Sequence, residues 1–379
     1  MNSPINLGES KPHYLILDGL RGVAALMVVM FHILEAHSLG NHKDQIINHG
    51  YLAVDFFFLL SGYVVSYAYD DRWGKMSLRD FFLRRVIRLH PMIIVGSLIG
   101  AVMFYFQESE ALGMNTGEIP LGKLLLVMLI GFTLIPVGKS LDIRGWNEMH
   151  PLNGPAWSLF FEYIANISYA LVLRHLSNLL LFILSVVAAG FTLHHLLTHP
   201  NGDMIGGWTI DDPQQLKIGF TRLAYPFVAG LLLARVVRLR YIKNAFPITA
   251  LFLMLLLAMP RVGIKDEVWQ NGLYDALCIL FLFPLIVWLG AGGNVEGDKA
   301  KRLCKFLGDI SYPIYITHYP LIYTYTAWVS NGDRSLGQYW LYAFLTFCGS
   351  VIVAYVTMKF FDIPFRQWLR RRYLVKRLS

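Results

Sequence analysis

Two basic residues stand inside an apolar run, LILDGLRGVAALMVVMFHILE, at positions 15–35. Arg21 and His32 are eleven residues apart. On a helix that is about 1100°, or about 20° past three full turns. Both therefore project from one face, separated by about 16 Å of axial rise, roughly half a bilayer core. Asp18, three residues before Arg21, shares the stripe. A charged group in lipid costs on the order of several kcal/mol, so such residues mark functional positions unless they reach the headgroups. An end-snorkelling Arg21 beside an interfacial His32 is the plain alternative.

Further groups of the same kind recur along the chain. Asp55 lies in GYLAVDFFFLLSGYV, with Ser61 and Gly62 one to two turns on. RDFFLRRVIRLHP carries Arg84, Arg85 and Arg88, which place two of three guanidinium groups on one face. In NGPAWSLFFEY, Trp157 is followed by Ser158 and Glu162 at i, i+4 spacing. LGDISYPIYITHYPLI holds Tyr315 and His318, three apart. Histidine suits general-base chemistry near neutral pH, and a carboxylate can orient it. Arginine pairs with phosphates and carboxylates. Each group also has a structural reading: a cytoplasmic anchor for the arginines, interhelical hydrogen bonds for Glu162 and His318, and close helix packing for Ser61 and Gly62.

The elements that must position these residues are membrane helices. Of 379 residues, 55% are hydrophobic and 15% charged, with a mean hydropathy of +0.48. The 25 Phe, 20 Tyr and 9 Trp suit aromatic belts. The net charge of +8 gathers beside apolar runs and gives no sign of nucleic-acid binding. Three cysteines form neither a metal-ligand spacing nor a disulfide framework. No cleavable signal peptide is expected.

Apolar runs fall at 15–35, 51–69, 89–106, 121–136, 156–173, 179–197, 219–236, 245–259, 273–290, 306–329 and 339–361. If every run crossed, the basic stretches 235–243, 299–305 and 366–377 would face outward, against the positive-inside rule. Letting the short run 121–136 enter and leave from the outer side repairs all three. The fold expected is an all-α polytopic membrane protein with about ten transmembrane helices plus one short re-entrant segment, both termini cytoplasmic. It forms a single integral-membrane domain over 1–379, with a cytoplasmic arm at 1–14, an outer region at 107–155 and a basic cytoplasmic tail at 366–379. His32, Asp55, Glu162 and His318 then reach similar depths toward the outer face. Arg21, Arg84, Arg85 and Arg88 gather on the cytoplasmic side.

LDGLRGVAALMVVMFH, GYLAVDFFFLLSGYV, RRVIRLHP, NGPAWSLFFEY and LGDISYPIYITHYPLI, in this order, resemble the membrane-bound acyltransferase family 3 over about residues 14–365. Its bacterial members transfer acyl groups to hydroxyls of cell-surface or secreted glycans. Arg21 and His32 match the family's basic residue, ten-residue gap and histidine, and the resemblance gives His32 a catalytic role. Asp55, Ser61 and Gly62 match the second-helix motif, Arg84, Arg85 and Arg88 the arginine cluster, Trp157, Ser158 and Glu162 the Trp-Ser and downstream Glu, and Tyr315 with His318 the late tyrosine and histidine.

The resemblance implies a multi-pass enzyme of the bacterial cytoplasmic membrane, with acyl-CoA as donor, no permanently bound cofactor and no metal. Its acceptor would be a polysaccharide or glycolipid hydroxyl. Arg21, Arg84, Arg85 and Arg88 would bind the donor. His32 would act as base, with Asp55 or Glu162 orienting it. Ser61, Trp157, Ser158, Tyr315 and His318 would position the acyl group or acceptor. Aromatic and amide groups at Trp146, Asn147 and His150 suit acceptor contacts in the outer region. Some members carry a hydrolase-like domain after the membrane helices; none follows here, so transfer is expected to finish within the membrane domain. A proton-coupled transporter of a small anion or sugar is the alternative, although no internal repeat supports it.

Overall fold

The computed structural model describes residues 14–38, 40, 41, 45–237, 241–263 and 267–375. Among them the chain is helical, without strands beyond two isolated bridges. In chain order the helices are α1 (Leu15–His37), α2 (Ala53–Tyr69), α3 (Leu78–Met103), α4 (Leu121–Thr133), α5 (Ala156–Leu171), α6 (Asn178–Thr198) and α7 (Pro213–Val236). They continue with α8 (Ala245–Ala258), α9 (Trp269–Leu277), α10 (Phe283–Ala291), α11 (Asp298–Thr317), α12 (Tyr319–Ser330), α13 (Leu336–Thr357) and α14 (Ile363–Arg370). π-helical turns join α9 to α10 and α13 to α14.

Among the described residues, seven stretches are long and apolar enough to cross a membrane: α1, α2 with its preceding turn, α3, α6, α7, α9 with α10, and α13 with α14. With only 13 residues, α4 is about 20 Å long, too short for a core of about 30 Å. It stops at Leu134, whose φ of 61° ends the helix just before Ile135 and Pro136. The faces of α6 and α13 expose Phe182, Phe191, Trp340 and Phe344. Such continuous apolar faces suit lipid as the solvent.

Two boundaries differ from the sequence expectation. The third helix begins at Leu78 and takes Arg84, Arg85 and Arg88 into its body. The cause is a capping box: Ser77 Oγ accepts from the Asp80 amide at 3.1 Å, and the Asp80 carboxylate accepts from the Ser77 amide at 3.2 Å. The run 306–329 is two helices that meet at His318, where Pro320 has no amide hydrogen to continue the ladder.

The site is held by helix α1, which packs against α2, α8, α10, α11, α12 and α13. Most of its surface is buried. At Gly22 a Cβ would lie 2.3 Å from the Leu307 carbonyl oxygen, so α1 and α11 meet nearly backbone to backbone. Helices α2 and α7 cross in the same manner, with Gly62 against Phe227 and Gly230 against Leu59. Gly62 of the Ser-Gly pair is therefore a packing residue.

Between α3 and α5 the chain is irregular around α4. Arg144 is its anchor, buried, donating from Nε to the Pro151 carbonyl and from Nη2 to Gln107 Oε1, both at 2.9 Å. Its guanidinium lies 3.4 Å from the centre of the Tyr323 ring, tying this region to α12.

Candidate active site

Near the end of α1, His32 Nδ1 lies 2.6 Å from Glu35 Oε2. The two are one helical turn apart, close enough for a direct bond. A carboxylate accepts, so Nδ1 carries the hydrogen. The His32 ring is edge-on to Tyr319 at 4.8 Å and 5.6 Å from the His318 ring. His32 and Glu35 open on a cavity of about 470 Å³ whose wall includes Tyr51, Trp146, Trp157, Trp208, Tyr315, Tyr319 and Tyr323, with Glu148 and Arg222. Aromatic walls with a few polar groups are the usual make-up of a small-molecule site.

The acid bonded to His32 is thus Glu35, rather than Asp55 or Glu162. Asp55 faces α7 and accepts from Arg222 Nη2 at 2.8 Å, both side chains being buried. Arg222 also donates to the Tyr51 carbonyl at 2.6 Å and lies 5.0 Å from the Trp157 ring. Asp55 thereby fixes a cation in the cavity wall. Glu162 accepts from Arg85 Nη2 at 2.6 Å and from Ser61 Oγ at 3.1 Å. Depth along the helices predicts Asp55 and Glu162 level with His32, but Asp55 is taken by Arg222 and Glu162 by Arg85 at the arginine end.

Glu162 and Ser61 join the arginine end of the bundle. Arg88 lies in the electrostatic field of Arg85, Arg21 and Glu162. Arg21 Nη1 donates to Asp18 Oδ1 at 3.2 Å. Arg85 is buried, and the Nε–H groups of Arg84 and Arg85 have no hydrogen-bond partner among the described residues. The sequence stripe of Arg21 and His32 is therefore realised in the fold, with one end of α1 at guanidinium groups and the other at an imidazole.

Trp157 and Tyr315 line the cavity, and the Tyr315 hydroxyl meets Ser158 Oγ at 2.7 Å. Buried His318 has Nδ1 at 2.9 Å from two carbonyls, those of Ile314 and Tyr315. Both can only accept, so Nδ1 is protonated and the unpartnered Nε2 carries the lone pair. Of the outer-region residues, Trp146 reaches the cavity, Asn147 is exposed and His150 is buried elsewhere.

Glu35, Arg222, Glu148 and Tyr319 are site residues that pattern reading passed over. An arginine well inside the run 219–236, away from its basic end at Arg235, is a usable signal for Arg222. Glu35 was legible as the i+3 neighbour of His32. Glu148 accepts from Tyr323 OH at 2.5 Å and has Arg144 at 3.8 Å. Burial pushes its carboxyl up to about 7, against the opposing effects of Arg144 and the Tyr323 hydroxyl. Burial also pushes His150 down to about 3.

No solved structure matches the chain. Protein 2 in picA locus of Rhizobium radiobacter is 33% identical over 177 residues, which is 43% of this chain and 85% of that protein. The O-acetyltransferase OatA of Staphylococcus aureus is 24% identical over 372 residues, 94% of this chain and 58% of OatA. The chain thus spans little more than half the length of that relative. The family described as an acyltransferase domain matches residues 14–359, nearly the whole chain and every group described above, and the chain belongs to that family.

Proposed function

We propose that the protein is a membrane O-acyltransferase, moving an acyl group from cytoplasmic acyl-CoA to a hydroxyl of a polysaccharide or glycolipid. The OatA relative points to acetyl as the group, and succinyl is the next to try. The observation that carries the reading is the His32–Glu35 pair opening on an aromatic cavity, with Arg21, on the same helix stripe, among the arginines at the other end.

In this reading the phosphate end of acyl-CoA docks at Arg21, Arg84, Arg85 and Arg88, and the pantetheine arm runs along α1 toward the cavity. The acceptor sugar lies against Trp157, Trp146 and Trp208. His32 Nε2 takes the proton of the acceptor hydroxyl as its oxygen attacks the thioester carbonyl. Glu35 holds the ring and stabilises the imidazolium that forms. The C–S bond then breaks, and the imidazolium returns its proton to the departing thiolate. The Arg222 charge and the Tyr319 hydroxyl face the space where negative charge develops.

The reading is completed by about ten spans with α4 re-entrant, both termini in the cytoplasm of a bacterium, and the 107–155 region outside. The basic stretches flanking α7, α11 and α14 support this orientation. The test uses the detergent-solubilised chain with labelled acetyl-CoA and short glycan acceptors. Acetyl ester formed on a sugar supports the reading. Acceptor movement into liposomes without donor, and no ester, would favour a transporter.

A further inference from the structure

The basic residues after the last long helix are more than a solvated tail. The π-helical turn Met358–Asp362 redirects the chain, and α14 packs against α3. Asp362, buried, pairs with Arg366 Nη2 at 2.5 Å. Asp362 also lies in the field of Arg88, while Arg370 lies in the fields of Arg366 and Arg84. Six guanidinium groups from three helices (Arg21, Arg84, Arg85, Arg88, Arg366 and Arg370) thus share one region with three carboxylates, Asp18, Glu162 and Asp362. Like charges brought together in a partly dehydrated place repel strongly unless an anion joins them.

The hydrogen-bond inventory points the same way. The Nε–H groups of Arg84, Arg85 and Arg366 are buried and have no partner among the described residues. A buried donor without a partner is costly, and three on two packed helices form an array that one polyvalent acceptor would satisfy. The acceptor must be anionic and rich in oxygen, which describes a phosphate group.

We propose that Arg366 and Arg370 form the second wall of the donor's phosphate site, facing Arg84, Arg85 and Arg88, and hold the phosphate-bearing end of acyl-CoA. This rests on the donor reading above. It assigns α14 a binding role: the chain's last helix closes over the donor that its third helix receives. A phosphate-bearing lipid headgroup offers the same chemistry, so the experiment separates the two sources.

The test measures transfer kinetics of the full chain with two donors, acetyl-CoA and S-acetylpantetheine, which lacks every phosphate. Arg366→Gln/Arg370→Gln should raise KM for acetyl-CoA about tenfold, the size expected for lost charge-assisted bonds. KM for S-acetylpantetheine should move less than twofold. Should that variant fail to fold, Arg366→Lys/Arg370→Lys keeps the charge but removes the Arg366 member of the Nε–H array, and a selective rise of about threefold is expected. Arg85→Gln/Arg88→Gln serves as the comparison. If it raises KM for acetyl-CoA while the α14 variants do not, the α14 proposal is overturned and the donor reading stands. If neither pair discriminates between the donors, the donor reading itself fails. Repeating the assay in phosphatidylcholine vesicles with and without phosphatidylglycerol tests the lipid. An α14 effect seen only with phosphatidylglycerol, with KM for acetyl-CoA unmoved, overturns the proposal in favour of a headgroup.

Discussion

His32 Nδ1 and Glu35 Oε2 lie 2.6 Å apart on a single turn of α1, so the imidazole and the carboxylate bonded to it belong to one rigid element. Their geometry does not depend on how the other helices pack. This makes the pair separable from the rest of the site. His32→Ala should reduce transfer by about 10²–10⁴-fold, the usual contribution of a positioned base. Glu35→Gln should reduce kcat by about 10²-fold or more, because the amide cannot stabilise the imidazolium. Both proteins should elute and melt like the parent. Near-parental turnover in purified His32→Ala removes the base assignment.

The other two acids should behave differently. Glu162→Gln frees Arg85, so its effect should appear in KM for acyl-CoA rather than in kcat. Arg88→Ala should raise that KM with kcat changed less. Steady-state kinetics with the donor varied at saturating acceptor separates these outcomes. A kcat loss in Glu162→Gln equal to that of Glu35→Gln would return Glu162 to the catalytic group.

Asp55 and Arg222 form a buried ion pair in which each side chain leaves the other costly if removed alone. Asp55→Ala should destabilise the protein by about 3–5 kcal/mol. Asp55→Leu/Arg222→Met should lose much less, since neither charge remains. Thermal unfolding in one detergent compares the three proteins, and a double variant as unstable as Asp55→Ala contradicts the pairing.

Glu148 gives a pH dependence of stability. Its carboxyl is raised from 4.5 to about 7 in the folded chain. Folding therefore favours its protonated form, and the stability it contributes is fully present below pH 4.5 and lost as pH rises through about 7. The whole change amounts to roughly 3 kcal/mol. Melting temperatures measured from pH 4.5 to 8 should fall along this window, and Glu148→Gln should flatten the fall. A parental profile in Glu148→Gln assigns the dependence to another group.

Much of this architecture can be read from the chain because lipid imposes simple demands. Apolar length marks the helices, and the eleven-residue interval puts Arg21 and His32 on one stripe. What cannot be read is rotation of one helix against another. Counting residues along each helix puts Asp55 and Glu162 level with His32, yet Asp55 turns to Arg222 on α7 and Glu162 to Arg85 on α3, at the arginine end. The start of α3 depended on Ser77 and Asp80, a local signal hidden under a basic stretch that resembled a loop. The break at His318 and the return of α14 to α3 are tertiary events, with only Pro320 and Asp362 as local hints.

At Gly22 helix α1 meets the Leu307 backbone of α11. It leaves α1 no room to slide along α11, and within α1 the helical rise holds the levels of Arg21 and His32 about 16 Å apart. Under the donor reading proposed above, helix α1 acts as a ruler: a thioester whose anionic end sits among the arginines delivers its carbonyl to the imidazole only if the arm between them has the matching reach.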